Sequence, residues 1–197
     1  MSQGPVTNPS LLLRLREPDD ASAWDTFLEL YEPLVFGFLR KRGLQEADAR
    51  DVTQDVLQSV IGAIKKLEYD RSKGTFRGWL FQVARSKLAN YFKKNAKQAQ
   101  GSGQTVVHQM LAEQPAGELE KEWDQEVEKR LFSWACQQIQ PQVEKSTWDA
   151  FWQNAVENKP ASEVAQAVGI SVGAVYIAKS RVISRIRTLI HEVSEFD

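Results

Sequence analysis

Between Arg71 and Lys94 the stretch RSKGTFRGWLFQVARSKLANYFKK carries Arg71, Lys73, Arg77, Arg85, Lys87, Lys93 and Lys94 without one acidic side chain, in a chain of 197 residues whose formal net charge is −1. Phe76, Trp79, Phe81, Tyr91 and Phe92 are interleaved with these cations. Cations follow a phosphate backbone and aromatic faces stack on unpaired bases, so the mixture suits a single-stranded or locally opened nucleic acid. Part of the stretch must nevertheless be core. Phe76, Trp79, Leu80, Val83, Ala84 and Tyr91 fall within one arc of a helix, which predicts that Arg85, Ser86, Phe92 and Lys93 project away from it. Lys87 and Lys94 project near the arc and must reach outward along their stems.

A second set of polar residues lies upstream. On a helix expected from about Ala47 to Leu67, Val52, Val56, Leu57, Val60, Ile61, Ile64 and Leu67 share one side, and Asp48, Asp51, Gln54 and Asp55 occupy the other. A helix N-terminus favours carboxylates, so capping explains the acids as well as a binding role does. A third set closes the chain. In ASEVAQAVGISVGAVYIAKSRVISRIR, Ser162 is expected to cap a short helix, Gly169 to end it, and Ser171 to cap a longer one. Two helices joined by a short turn containing Gly make a helix-turn-helix. Val175, Val182, Ile186 and Leu189 share the buried face of the last helix, and Gly173, Tyr176, Ile177, Ser180, Arg181 and Ser184 the opposite one. A surface of small and mixed residues suits a major groove, with Lys179, Arg185 and Arg187 in reach of phosphates. Packing alone does not account for the lack of any acid from Tyr176 to Ile190.

Other chemistries find no residues to carry them. No nucleophile–base pair or Gly-rich phosphate loop is visible, so a binding protein is expected and not an enzyme, with no cofactor. His108 and His191 have no partners at ligand spacing, so no metal is expected. The single Cys136 cannot form an internal disulfide and reads as a small buried hydrophobe, consistent with a reducing cytosol. With no signal peptide and no long apolar run, the expectation is a cytoplasmic protein without membrane insertion.

The elements that must position these residues are all helices. With 42% hydrophobic residues the chain can build ordinary cores. After a polar lead, Met1 to Pro9, the set Trp24, Phe27, Leu28, Tyr31, Leu34, Val35, Phe38 and Leu39 predicts a helix from about Asp20 to Lys41. Asp19 or Asp20 should cap it, Gly43 stop it, and Pro33 kink or split it. Tyr69 to Thr75 reads as a loop into the basic helix. KQAQGSGQTVVHQ has no periodicity, which predicts a flexible linker over 96–117. The span from Glu113 to Glu128 is acidic apart from Lys121. Beyond the linker, Trp123, Val127, Leu131, Trp134, Ala135 and Ile139 make a stripe ended by Pro141, and Trp148, Phe151, Trp152, Ala155 and Val156 a further helix from Ser146 to Asn158.

In this order the motifs DARDVTQDVLQSV (Asp48 to Val60), FRGWLFQVAR (Phe76 to Arg85) and ASEVAQAVGISVGAV (Ala161 to Val175) resemble the extracytoplasmic-function class of bacterial RNA polymerase sigma factors, within the sigma-70 family. The resemblance runs from Trp24 to Leu189. It implies an all-α initiation factor of two domains: a region 2-like domain over 10–95, the linker, and a region 4-like helix-turn-helix domain over 118–193. It implies that Asp48, Asp51, Gln54 and Asp55 dock on core polymerase. Arg71, Lys73, Arg77, Arg85, Ser86, Asn90, Lys93 and Lys94 would serve the −10 element, and Gly173, Tyr176, Ile177, Lys179, Ser180, Arg181, Ser184 and Arg187 the −35 element. The implied partners are the β′ clamp and β flap of core polymerase and promoter DNA, with room for an anti-sigma factor. Tyr176 stands where the family commonly has a cation, and Ser86 and Asn90 where it often has Asn and Asp, so promoter sequence does not carry over. Read without the resemblance, the residues also allow a free-standing helix-turn-helix regulator or a helical adaptor that binds only protein. The acidic helix separates these readings, because a regulator has no use for polymerase contacts there.

Overall fold

The computed structural model describes residues 11–17, 19–64, 75–98 and 116–194. All regular elements among them are helical, as the sequence predicts: α1 (Leu11–Arg14), α2 (Ala21–Lys41), α3 (Glu46–Ile64), α4 (Phe76–Gln98), α5 (Ala116–Ile139), α6 (Lys145–Phe151), α7 (Ala161–Val168) and α8 (Val172–Ser194), with a 3-10 turn at Gln140–Gln142 and a π turn at Trp152–Val156. The chain divides into two compact units, the first reaching Arg130 and the second running from Leu131 to Val193. Most of the expected linker lies outside the described residues; its two ends are helical, in α4 and α5. The polar lead and most of the Tyr69 to Thr75 loop also lie outside.

In the first unit α2 begins where a carboxylate meets free amides. Asp20 Oδ1 accepts from Ala23 N at 3.0 Å, while Arg14 Nε, at the end of the unanticipated α1, donates to Oδ2 at 2.8 Å. The Arg14 hydrogen bond, then those of Ser22 and Ala23, holds the Asp20 carboxyl well below the usual range. Gly43 ends the helix at φ 87°, and Leu44 N closes on Leu39 O at 3.4 Å. Only glycine takes that backbone conformation without steric cost.

Pro33 does not split α2, which runs unbroken from Ala21 to Lys41. Proline at this position leaves the carbonyl four residues back without its amide donor. That carbonyl, Glu29 O, instead accepts from Arg130 Nη2 at 2.6 Å. A side chain from α5 therefore replaces the bond that Pro33 removes.

The core of this unit forms where α2, α3 and α4 face one another. Phe27, Tyr31 and Phe76 make edge contacts, with centroids 6.1 and 5.6 Å from Phe76, and Phe38 and Phe81 another at 5.7 Å. The buried stripe of α4 is Phe76, Leu80, Phe81, Ala84, Leu88 and Phe92. This corrects the arc read from sequence: Phe92 is buried instead of outward, whereas Trp79, Val83 and Tyr91 are only half-buried. The true stripe is rotated toward Leu88, because α4 packs against both α2 and α3 and its apolar face is wider than one neighbour would require.

The first half of α5 completes the same core. Trp123, almost fully buried, lies 5.4 Å from Phe38 and 5.8 Å from Phe81. Sequence periodicity assigns the whole of α5 to the C-terminal domain, whereas its contacts divide it at Arg130.

The second unit is built around Ala150, Ala161, Val164, Ala165, Val175 and Ala178, with Val168 and Ile170 packed on them. Two caps differ from expectation. Glu144 precedes α6 in place of Ser146, because the extended residues leaving the 3-10 turn are Val143 and Glu144. Pro160 precedes α7 in place of Ser162, and its carbonyl accepts from Val164 N at 3.1 Å. The helix expected to run to Asn158 changes to a π turn after Phe151, where Trp148 and Trp152 stack at 5.9 Å. Cys136 is buried, as expected, and burial raises its thiol pKa.

Candidate functional site

The helix-turn-helix is formed as the spacing predicts. Gly169 takes φ 76°, its amide closes on Ala165 O at 3.0 Å, and Ser171 Oγ accepts from Ala174 N at 3.1 Å. These two local devices set α7 and α8 at 97° to each other, within the range of DNA-binding helix-turn-helix units. Val175, Ala178, Val182 and Ile186 are buried, and Leu189 is half-buried. Gly173, Ser180, Arg181, Ser184 and Arg187 are exposed, while Lys179 is half-buried. Tyr176 and Ile177 are the largest apolar groups on this face, 58% and 62% exposed. Large side chains left in water at the start of such a helix match apolar contact with base edges. Arg185 is engaged within the unit, its Nη1 donating to Gln142 O at 3.2 Å.

On α4, Thr75 supplies an unanticipated cap, its Oγ1 accepting from Gly78 N at 3.0 Å. Ser86, Asn90, Lys93 and Lys94 are exposed, and Arg77 and Arg85 half-buried. Arg71 and Lys73 lie outside the described residues.

On α3, Asp51, Gln54 and Asp55 are exposed and Asp48 is half-buried. The helix starts at Glu46, so Asp48 sits in its first turn, Asp51 in the second and Asp55 in the third. The field of a helix terminus fades within one turn, so capping accounts for Asp48 and leaves Asp51 and Asp55 unexplained.

The acidic row and the basic helix are far apart in the chain, but the fold brings them together. Asp48, Asp51 and Asp55 line one wall of a groove of about 450 Å³ whose other wall is Lys87, Asn90, Lys94 and Asn95 of α4. Tyr91 of α4 forms part of the lining, with Asp48 of α3 facing it and Asn95 one turn further along its own helix. Burial, then the Asp48 carboxylate, raises the Tyr91 phenol pKa, so the phenol stays protonated and able to donate.

Residues 27–98 match the family model of sigma-70 region 2. The match spans most of α2 and all of α3 and α4, which together form the groove and the basic helix. It supports a sigma-70 family factor with a role in promoter recognition for RNA polymerase. Sigma region 2 binds core RNA polymerase and the promoter −10 element, and the sigma factor family consists of non-enzymatic transcription initiation factors. Among curated proteins none matches the chain. Among the described residues no single helix is long and apolar enough to cross a membrane.

Proposed function

We propose that this chain is a sigma factor of the extracytoplasmic-function class that joins core RNA polymerase in the cytoplasm and directs it to promoters. The observation that carries the reading is the sigma-70 region 2 match over α2 to α4, with a helix-turn-helix downstream in the same chain. In this reading 10–95 is the region 2-like domain, 96–117 the connection and 118–193 the region 4-like domain. Asp48, Asp51, Gln54 and Asp55 meet the β′ clamp, and the C-terminal domain meets the β flap. Arg71, Lys73, Arg77, Arg85, Ser86, Asn90, Lys93 and Lys94 serve the −10 element. Gly173, Tyr176, Ile177, Ser180, Arg181 and Ser184 face −35 base edges, with Lys179 and Arg187 on flanking phosphates. An anti-sigma factor would find the same surfaces exposed.

Two weak DNA readers held on one polymerase make the second contact effectively intramolecular, so specificity comes from the pair. Run-off transcription with core polymerase and a promoter library randomised at the −35 element tests the reading. Wild-type protein should select a preferred sequence, and Arg181→Ala should lose about 1–3 kcal/mol on it and relax one or two base pairs. Absence of any core-dependent transcript would refute the sigma reading. A uniform loss across the library would instead place Arg181 on the backbone.

A further inference from the structure

The first half of α5 lies on the first unit as an amphipathic strip with acid on both flanks. Leu119, Trp123 and Val127 recur every four residues and are almost fully buried, so they form the seam. On one flank Glu122 and Glu126 meet Lys41 and Arg42 at the end of α2. The other flank starts with Glu120, and it reaches α4. A methyl group built on Gly78 would stand 3.9 Å from Glu120 Oε1 and 3.2 Å from Thr75 Oγ1. An exposed carboxylate of α5 therefore sits beside the first turn of the basic helix.

This placement sets the acid against a surface arranged for the same sign of partner. From Arg77 to Lys97 α4 carries cations and no acidic residue, and Arg77 adjoins Gly78 in the turn that Glu120 approaches. A nucleic-acid strand would bring phosphates to that turn. Carboxylate and phosphate repel at close range, so the two exclude each other from one place. The acid is not part of the region 2 segment itself, whose match ends at residue 98. It is delivered by a later helix and held by the buried seam, so moving it away requires Leu119, Trp123 and Val127 to leave their core. A chain whose competent state is only fractionally populated binds more weakly by that fraction.

We propose that the first half of α5 is an intramolecular competitor of the −10 strand: the seam of Leu119, Trp123 and Val127 holds Glu120 at the start of the basic helix, and the strand is read fully only once α5 lifts away. The proposal rests on the −10 role given above to α4.

The test uses full-length protein without polymerase and a short fluorescein-labelled single-stranded oligonucleotide, with affinity read by anisotropy. Glu120→Gln should tighten binding about two- to five-fold, as expected for removing one like charge beside a phosphate contact. Glu144→Gln, which removes an exposed acid of the second unit, should leave it near wild type. In wild type, saturating oligonucleotide should raise backbone hydrogen exchange across residues 119–130 as the seam opens. If Glu120→Gln binds no tighter than Glu144→Gln, or if bound oligonucleotide leaves exchange over 119–130 unchanged, the inference is wrong while the DNA-facing reading of α4 stands. If neither wild type nor Glu120→Gln binds the oligonucleotide even at low salt, the −10 role has failed and the inference falls with it.

Discussion

Two places in the first unit set a carboxylate-bearing helix against a cation-bearing one, and they end differently. Where α5 crosses α2, Arg42 Nη2 meets Glu122 at 2.8 Å, and Lys41 Nζ lies 3.4 Å from Glu122 and 3.2 Å from Glu126. The space left among these residues is about 60 Å³. Between α3 and α4 the space is about 450 Å³, and among the described residues no ion pair joins the two walls. The difference lies in what accompanies the charges. At the α2–α5 crossing Trp123 fills the gap beside Phe38, and the Arg42 guanidinium lies 3.8 Å over the Phe38 ring. Charge pairs in water are worth about 0–1 kcal/mol, too little to close two helices without apolar burial. The groove has charge complementarity without a tryptophan, so it stays open and its charges remain available to a partner.

The strongest way to break this comparison is to remove the tryptophan. Trp123→Ala should cost about 3–5 kcal/mol, the range for emptying a buried aromatic site, measured by denaturant unfolding of the first unit. A loss below about 1 kcal/mol would mean that the charges, not the ring, hold the crossing. Trp123→Phe sharpens the point. It keeps most of the apolar contact and removes the indole N–H, which is buried without a hydrogen-bond partner, so it should cost much less than alanine.

Arg42→Ala comes next. The Arg42 side chain is 7% exposed but Glu122 is 43% exposed, so the pair falls between buried and surface cases, and about 1–2 kcal/mol is expected from the same titration. No measurable loss would class it with ordinary surface pairs.

Acid should loosen the crossing. Burial pushes Glu122 upward, but hydrogen bonds from Arg42 and Lys41 outweigh it and leave the pKa lowered; Lys41, then Lys129, lowers Glu126. A carboxylate with a depressed folded pKa contributes stability that is fully present above its unfolded value, about 4.3, and is lost as pH falls through the lower folded value. The advantage of wild type over Glu122→Gln with Glu126→Gln should therefore hold at neutral pH and vanish in that acidic window. An advantage that persists below it would assign the difference to shape and not charge.

The smallest effect belongs to the groove itself. Asp51→Ala with Asp55→Ala should change unfolding free energy by no more than about 0.5 kcal/mol, since these groups are exposed. A larger loss of stability would show that the acids hold the fold, against their proposed use in docking.

Much of this molecule is legible in its residues because the signals are local. Asp20, Gly43, Gly169 and Ser171 act on backbone groups within a few positions of themselves, so caps and turns follow from residue type. The helix-turn-helix is two such devices in succession, and its exposed face follows from where Val175, Val182 and Ile186 must go. Local reasoning fails where a distant side chain answers a local defect. Pro33 is expected to kink or split α2, yet the helix runs on unbroken through it, and Arg130 reaches the carbonyl that Pro33 strands.

The sequence by itself determined the helical class and the hinge at Gly169, because periodicity and capping are properties of neighbours along the chain. Only the tertiary structure decided that Phe92 turns inward, that α5 shares its length between two units, and that Asp51 and Lys94 line one groove. Helical period says which residues share a face but not which helix that face will meet. That choice is made by the fit of bulky side chains across helices far apart in the chain, as when Trp123 fills the space beside Phe38 and Phe81.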